Sequence, residues 1–308
     1  MKKIAIVILG PTCVGKTDLA LKTAFHCGEI ISVDSMQVYQ YMDIGTAKPD
    51  QNELKQVKHH LIDITTPDKQ FTAGHFITHA GKLIPQIIND KKIPFLVGGT
   101  GLYFLSLIRG MVDIPSVPAE INQMIKDRHR QTGQARMFRL LERLDYEYSQ
   151  KIHPNDSQRT MRALEVIITT KNKFSFYLNQ QNQKEELDAR IVGIRRDRKE
   201  LYTLINQRVD LMMDKGLLDE VKQLKKMGYN KDHPGMKGIG YKEILEHLEG
   251  SISLDEAVHQ VKKNSRRYAK RQFTWFNRME GVNWFDAEDR NNIISFIEKQ
   301  KSEFMDIL

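Results

Sequence analysis

The sequence predicts an α/β fold: a parallel sheet with helices on both faces, carrying a helical insertion. Three observations lead there. Over the first hundred residues short apolar runs alternate with helical patterns, the texture of a buried parallel sheet covered on both sides. The first run, Ile4–Leu9, passes without a gap into "GPTCVGKT". This Gly-x4-Gly-Lys-Thr spacing between a strand and a helix makes the core P-loop NTPase-like. Between residues 116 and 188 the alternation stops, and a helical, polar texture replaces it.

Each element follows from local chemistry. "MKKIAIVIL" imitates a secretion signal, two lysines before an apolar run, but a phosphate loop stands where a small-residue cleavage site would be needed. Residues 4–9 therefore read as a strand. Residues 16–26 read as a helix and 30–33 as a second strand; a longer helix covers 72–89, and 94–97 is a third strand. "MVDIPSVPAE" then breaks the pattern with its prolines. From 120 to about 170 everything reads helical, with Arg, Gln and Glu on the exposed faces, and "NQQNQKEELD" is polar and linker-like. "ARIVGIRRD" returns a strand to the same sheet near 189–195, and the remainder after Arg198 reads helical. The expected division is a first core segment over 1–115, a helical insertion over 116–188 and a second core segment over 189–308. No internal repeat is visible.

The 308 residues are 40% apolar and 28% charged, ordinary for a protein with a substantial core. No run of about eighteen apolar residues offers a membrane span. Two cysteines, Cys13 and Cys27, lack metal-ligand spacing and suit a reducing compartment, so a cytoplasmic enzyme is expected. A formal net charge of +8 permits an anionic partner such as nucleic acid.

Three segments are expected at one edge of the sheet. In the phosphate loop, Gly10, Pro11, Thr12, Cys13, Val14, Gly15, Lys16 and Thr17 would present backbone N–H groups to phosphate. Lys16 would reach phosphate oxygens, and the Thr17 hydroxyl would sit on Mg²⁺. The second strand ends in Asp34, at the carboxyl edge where open α/β sheets bind ligands. The third runs into Gly98, Gly99, Thr100 and Gly101, where a backbone can approach a ligand closely and Thr100 offers a hydroxyl. ATPases commonly end a strand in a metal-holding Asp; this chain places glycines there. The loop alone earns a nucleotide-binding or ATP-binding label, yet a phosphate pocket with one positioned carboxylate is odd for ATP hydrolysis.

At these residues the sequence resembles the tRNA dimethylallyltransferases, also called tRNA isopentenyltransferases. "GPTCVGKT", "SVDSMQVYQYMDIGTAKP", "HHLIDITTPDKQFTAGHF", "VGGTGLY", "HPNDSQRTMRALEV", "RVDLMMDKGLLDEV", "KGIGYKE" and "RRYAKRQFTWF" match family blocks in family order, over nearly the whole chain. The resemblance implies transfer of a dimethylallyl group from dimethylallyl diphosphate to N6 of adenosine 37, beside the anticodon, so that the loop holds an isoprenoid diphosphate. Asp34 matches the family's general base. Thr12, Lys16, Thr17 and Thr100 match its diphosphate channel, and Arg208 looks like its diphosphate-binding arginine. Asp34, Ser35, Met36 and Gln37 match a segment that touches tRNA, as do Gln158, Arg159, Thr160, Met161 and Arg162. Thr100, Lys237, Tyr241, Arg267 and Arg271 are further tRNA candidates. The implied cofactor is Mg²⁺; the implied partners are dimethylallyl diphosphate and the tRNA anticodon stem-loop, with a monomeric protein and no membrane. Cys13 stands where the family often has a small residue, and its thiol is expected to do nothing.

Beyond the resemblance, Lys263, Arg266, Arg267, Lys270 and Arg271 fall at steps of three and four, on one helical face that could grip phosphates outside the diphosphate channel. Val261, Tyr268, Gln272 and Trp275 fall on another face, and Phe273, Trp275 and Phe276 read as core. Arg159 and Arg162 are three apart on a helix starting near Asp156. His59 and His60 would point apart on a strand, without ligand-spaced partners. Two other classes stay open from the residues: a small-molecule or nucleotide kinase holding ATP, and a noncatalytic RNA-binding protein with a vestigial loop. A prenyltransferase of free adenylate is the nearest relative in chemistry, and the insertion and basic helix favour tRNA over it.

Overall fold

The computed structural model describes residues 3–110, 114–180 and 187–306. The chain divides into two compact units, one of Met1–Ile108 with Glu185–Leu308 and the other Arg109–Lys184. The proline break falls partly outside the described residues, and the polar linker mostly so.

The first unit opens with β1 (Ile4–Leu9), α1 (Lys16–Ala24), β2 (Gly28–Val33), α2 (Gln51–Gln56), β3 (His59–His60), α3 (Ala73–Asn89), β4 (Ile93–Gly98) and α4 (Gly101–Arg109, whose last residue falls in the other unit), an alternation in which α2 and α4 join the elements read from the sequence. All six residues of β1 and of β4 are buried, which is why both read as unbroken apolar runs. The first helix stops at Ala24, short of the expected residue 26, because Phe25 is extended and His26 turns left-handed at φ 65°. Thr72 stands just outside α3 and caps it: its hydroxyl accepts from the His75 N–H at 3.2 Å.

The second unit contains α5 (Ala119–Thr132), α6 (Gln134–Leu144), α7 (Tyr146–Ser149), α8 (Ser157–Thr170) and α9 (Phe174–Asn179). They enclose a core of their own that includes Ile125, Leu141, Leu164 and Phe174. The expected continuous helical stretch is broken at Gly133 and at Asp145. The Asp145 carboxylate is fully buried, accepts from the Tyr148 and Ser175 amides at 3.2 and 2.7 Å and from the Ser175 hydroxyl at 2.8 Å, and so ties α7 to α9.

The first unit resumes with β5 (Asp188–Arg195), α10 (Arg198–Asp214), α11 (Leu217–Lys226), α12 (Tyr241–Leu248), α13 (Leu254–Phe276), β6 (Val282–Asp286) and α14 (Arg290–Met305). The six strands form one parallel sheet in the order β3-β2-β4-β1-β5-β6. One expectation is corrected: the chain after Arg198 is not wholly helical. "VNWFD" pairs with β5 at the sheet edge, Gly193 opposite Trp284. None of its five residues is buried, so it lacks the continuous apolar run that betrayed the central strands. The order carries the ends of β1, β4 and β2, side by side, to one edge of the sheet.

Candidate active site

A cavity of about 600 Å³ opens at that edge. Its floor is the phosphate loop. Gly10 has φ 154°, and a Cβ there would lie 2.5 Å from the Ile194 carbonyl oxygen, so β5 passes too close for any side chain. Cys13 and Gly15 are both left-handed, at φ 67° and 90°. These turns aim the loop at the start of α1, whose first N–H groups have no partner within the helix and favour an anion.

Three side chains fix the loop. Lys16 Nζ donates to the Pro11 carbonyl at 2.7 Å, Arg208 Nη1 from α10 donates to Thr12 Oγ1 at 2.6 Å, and the Thr12 N–H donates to Gln272 Oε1 of α13 at 3.0 Å. Burial pulls the Lys16 ammonium down to about 8, and the Arg208 guanidinium acts in the same direction. Thr17 lines the cavity as well, while its neighbour Asp18 pairs with Arg290 of α14.

Asp34 follows β2 directly. Its Oδ1 accepts from the Met36 and Gln37 N–H groups at 2.8 and 3.3 Å, which holds the carboxylate at the cavity wall. Thr100 is less exposed to the cavity than the sequence suggests. Its N–H donates to the Val33 carbonyl at 3.1 Å and its hydroxyl accepts from the Ser35 N–H at 3.1 Å, so it locks the end of β4 to the turn carrying Asp34. Ser35, Met36 and Gln37 all line the cavity; Gln37 receives the Ser32 hydroxyl at 2.8 Å and donates to the Ala47 carbonyl at 3.2 Å.

The far wall comes from α13 and the turn before α12. Tyr268, Arg271 and Gln272 line the cavity, with the Arg271 guanidinium 5.7 Å from the centre of the Tyr268 ring. Tyr268 reaches the side chains of Thr100 and Gln272; burial, and then Asp34, push its phenol up to about 12. Arg271 is exposed and also lines the cavity, so the basic face of α13 borders the site at this residue. Lys263, Arg267 and Lys270 remain exposed, and Arg266 donates to Asn206 Oδ1 at 2.5 Å. Phe276 is buried and Trp275 is 36% exposed.

Lys237 lines the cavity beside Gly238. Tyr241 does not: it is fully buried, and its hydroxyl donates to Glu220 Oε1 at 2.6 Å. As a side chain touching tRNA it is corrected to a support. Glu220 of α11 also accepts from the amides of Asp43, Ile44 and Gly45 at 2.9, 2.8 and 3.2 Å, fixing the segment that ends in Thr46 and Ala47 at the cavity wall.

In the second unit, Gln158 and Arg159 are exposed on α8, where Arg159 pairs with Asp156; Met161 is half-buried, and Arg162 lies 3.6 Å from Glu165. Thr160 is fully buried, with its hydroxyl on the Asp156 carbonyl at 2.7 Å, so its side chain is corrected from a contact to a helix brace. The paired histidines take structural partners, His59 Nδ1 the Val57 carbonyl at 2.7 Å and His60 Nε2 Glu29 at 2.6 Å. Among the described residues no group of three or more His, Cys, Asp or Glu is arranged around a metal position.

The sequence reading missed Gln272, Tyr268 and Glu220. A signal existed for Gln272: an amide in the buried stripe of an amphipathic helix must find partners.

Comparison with known proteins agrees with the geometry. A family model described as IPP transferase matches residues 37–279. A tRNA dimethylallyltransferase of Alkaliphilus oremlandii is 44% identical over 300 residues, covering 97% of this chain and 96% of the relative. One from Clostridioides difficile is 45% identical over 297 residues, 95% of each. Among solved structures, the tRNA isopentenylpyrophosphate transferase of Bacillus halodurans superposes with a TM-score of 0.71 at 38% identity, covering 98% of this chain and 99% of that one. A eukaryotic dimethylallyltransferase described as acting on tRNA gives a TM-score of 0.81 at 30% identity, with 94% and 75% covered.

Proposed function

Since the chain belongs to the IPP transferase family, we propose that it is a tRNA dimethylallyltransferase, moving a dimethylallyl group from dimethylallyl diphosphate to N6 of adenosine 37. The observation that carries the reading is one cavity lined by a phosphate loop, by Arg208 and by the Asp34 carboxylate.

In the reaction the bond between C1 of the donor and its diphosphate oxygen breaks, with the electron pair leaving on the diphosphate. N6 forms the new bond to C1, and an N6 proton passes to the Asp34 carboxylate. The loop N–H groups, Lys16 and Arg208 neutralise the leaving group; each such donor is typically worth about 10²–10³ in rate. The exocyclic amine is a poor nucleophile because its lone pair is conjugated with the ring. A carboxylate accepting its proton as bonding begins contributes about 10²–10⁴. The adenosine must leave its stack to enter.

Mg²⁺ suits this donor set. It takes oxygen ligands, keeps several waters and binds through substrate phosphates with few protein groups. Thr17 would hold it at the loop, and the ion would neutralise charge on the departing diphosphate. The exposed Lys263, Arg267 and Lys270 of α13 would contact phosphates of the anticodon stem-loop; Gln158, Arg159 and Arg162 of α8, in the other unit, are separate candidates for tRNA contact. We further propose a monomer acting in the cytoplasm; no helix among the described residues is long and apolar enough to cross a membrane.

The test is direct. With dimethylallyl diphosphate, Mg²⁺ and unmodified tRNA, nucleoside analysis should return prenylated adenosine from the anticodon loop. No prenylated nucleoside, together with ATP turnover stimulated by tRNA, would sink the reading.

A further inference from the structure

Gln272 belongs to neither the loop nor the strands, yet it touches two of the three site segments. It is 4% exposed. Its Oε1 accepts from the Thr12 N–H at 3.0 Å, and its Nε2 donates to the Gly99 carbonyl at 2.9 Å. A Cβ on Gly99 would lie 2.2 Å from that same nitrogen. The amide therefore fills the gap between the ends of β1 and β4, and both of its polar ends are satisfied.

The loop needs this contact for a specific reason. Pro11 has no N–H to offer. Thr12 has one, and it is held by Gln272 instead of facing the cavity. The anion cradle then begins at Cys13, and the left-handed turn at Cys13 sets its direction. On its other side Thr12 is held through its hydroxyl by Arg208. Without Gln272 the part-buried Thr12 N–H would lose its acceptor, and the loop would gain by rotating it toward water or toward the bound anion. Either movement displaces the turn at Cys13 and misaligns the amides that follow.

We propose that Gln272 is the positioning residue of the phosphate loop: it holds Thr12 so that the cradle is shaped for a diphosphate before any ligand arrives. This rests on the reading of the loop as a diphosphate site, though it does not depend on which prenyl group or which RNA is used. The mechanism above assigns the chemistry to Lys16, Arg208 and Asp34; Gln272 touches none of the reacting atoms and acts through Thr12 and Gly99.

Two substitutions of nearly equal length separate its parts. Gln272→Met fills the space but neither accepts nor donates. Gln272→Glu still accepts from Thr12 but cannot donate to Gly99, and it adds a negative charge beside the anion site. Inorganic pyrophosphate with Mg²⁺ is titrated into each protein by calorimetry at pH 7.5, and tRNA affinity is measured in parallel. Gln272→Met removes the hydrogen bonds to both Thr12 and Gly99; it should weaken pyrophosphate about tenfold, the loss that follows from the one to Thr12, which shapes the cradle. Gln272→Glu keeps the acceptor for Thr12 but loses the bond to Gly99 and sets a negative charge beside the anion site, so it should also weaken pyrophosphate, through repulsion. Affinity for tRNA should stay within about twofold of the parent, and the donor KM should rise by a larger factor than kcat falls. Pyrophosphate affinity within about twofold of the parent in Gln272→Met would overturn the proposal. So would equal losses of pyrophosphate and tRNA affinity with a lowered melting temperature, which mark a general packing residue. Hydrogen exchange in the parent protein gives a check that needs no variant. The Thr12 amide should exchange markedly more slowly than that of Cys13, and equal rates would also overturn the proposal. Prenylation of tRNA tests the functional reading separately, since the pyrophosphate ratio is measured without any transfer.

Discussion

Raising the pH should weaken diphosphate binding through a single group, Lys16. Burial, aided by Arg208, holds its ammonium at about 8 in the free protein, against an ordinary value of 10.5. A bound diphosphate favours the charged form, so the value rises again in the complex. Between the two, binding takes up a proton. Affinity should therefore be level between about pH 7, where the ligand is fully ionised, and about pH 8, and fall about tenfold per pH unit above it, until the value of the complex is reached. At pH 7 about nine-tenths of free Lys16 is charged and at pH 9 about one-tenth, so binding at pH 9 should take up about 0.9 proton. Stability runs the other way. The unfolded chain holds this proton up to 10.5 while the fold releases it near 8, so the ligand-free fold gains stability as pH rises across that window. Calorimetry with a saturated alkyl diphosphate, whose own last proton leaves near about pH 6, in two buffers of different ionisation enthalpy, reads both slope and proton count. Lys16→Ala should bind weakly at every pH and take up no proton. A level affinity to pH 10, or the same slope in Lys16→Ala, would refute the assignment.

Further outcomes are expected from the same geometry. Asp34→Asn keeps the shape and can still accept from Met36, but it no longer takes a proton; turnover should fall at least about a hundredfold, and near-normal turnover would remove Asp34 from the role. Arg267→Ala should lower the slope of log tRNA affinity against log salt by about one with kcat unchanged, as loss of one phosphate contact requires; an unaltered slope would move recognition toward Arg159 and Arg162. Arg271→Ala should in addition raise the donor KM, because this residue lines the cavity, and an effect confined to tRNA affinity would place it with Arg267. Glu220→Gln exchanges a charged acceptor of three amides for a neutral one. It should cost about 1–3 kcal/mol of stability, read as a lower melting temperature, and an unchanged melting curve would show that the 43–45 segment holds itself.

Sequence reasoning reached the loop, Asp34 and the central strands because each rests on local chemistry. The central strands are apolar on both faces, and the loop's residues are contiguous. What it missed depends on contacts between distant segments. The residues Gln272 and Thr12 are 260 positions apart, and Glu220 lies 175 from Gly45; no spacing rule connects them. The edge strand β6 escaped for a different reason, since its half-exposed pattern has neither continuous apolarity nor clean alternation. That the exposed Arg271 also borders the cavity was not legible, because helical spacing gives a direction around an axis and says nothing of what stands opposite it.

The same contacts explain the feature that first separated this loop from an ATPase. A metal-holding Asp at the end of β4 was expected of an ATP hydrolase, and glycines stand there instead. The structure supplies a packing reason. A Cβ at Gly98 would lie 2.1 Å from the Val33 carbonyl oxygen, and one at Gly99 would strike the Gln272 amide. The space a carboxylate would need is taken, on one side by the strand that ends in Asp34 and on the other by the side chain that fixes Thr12. Restoring the acidic residue, as in Gly99→Asp, would therefore expel Gln272 before it could recruit a metal ion. The glycines bring the phosphate loop and the turn carrying Asp34 close together, the closeness that the proposed transfer between a diphosphate and an amine would require.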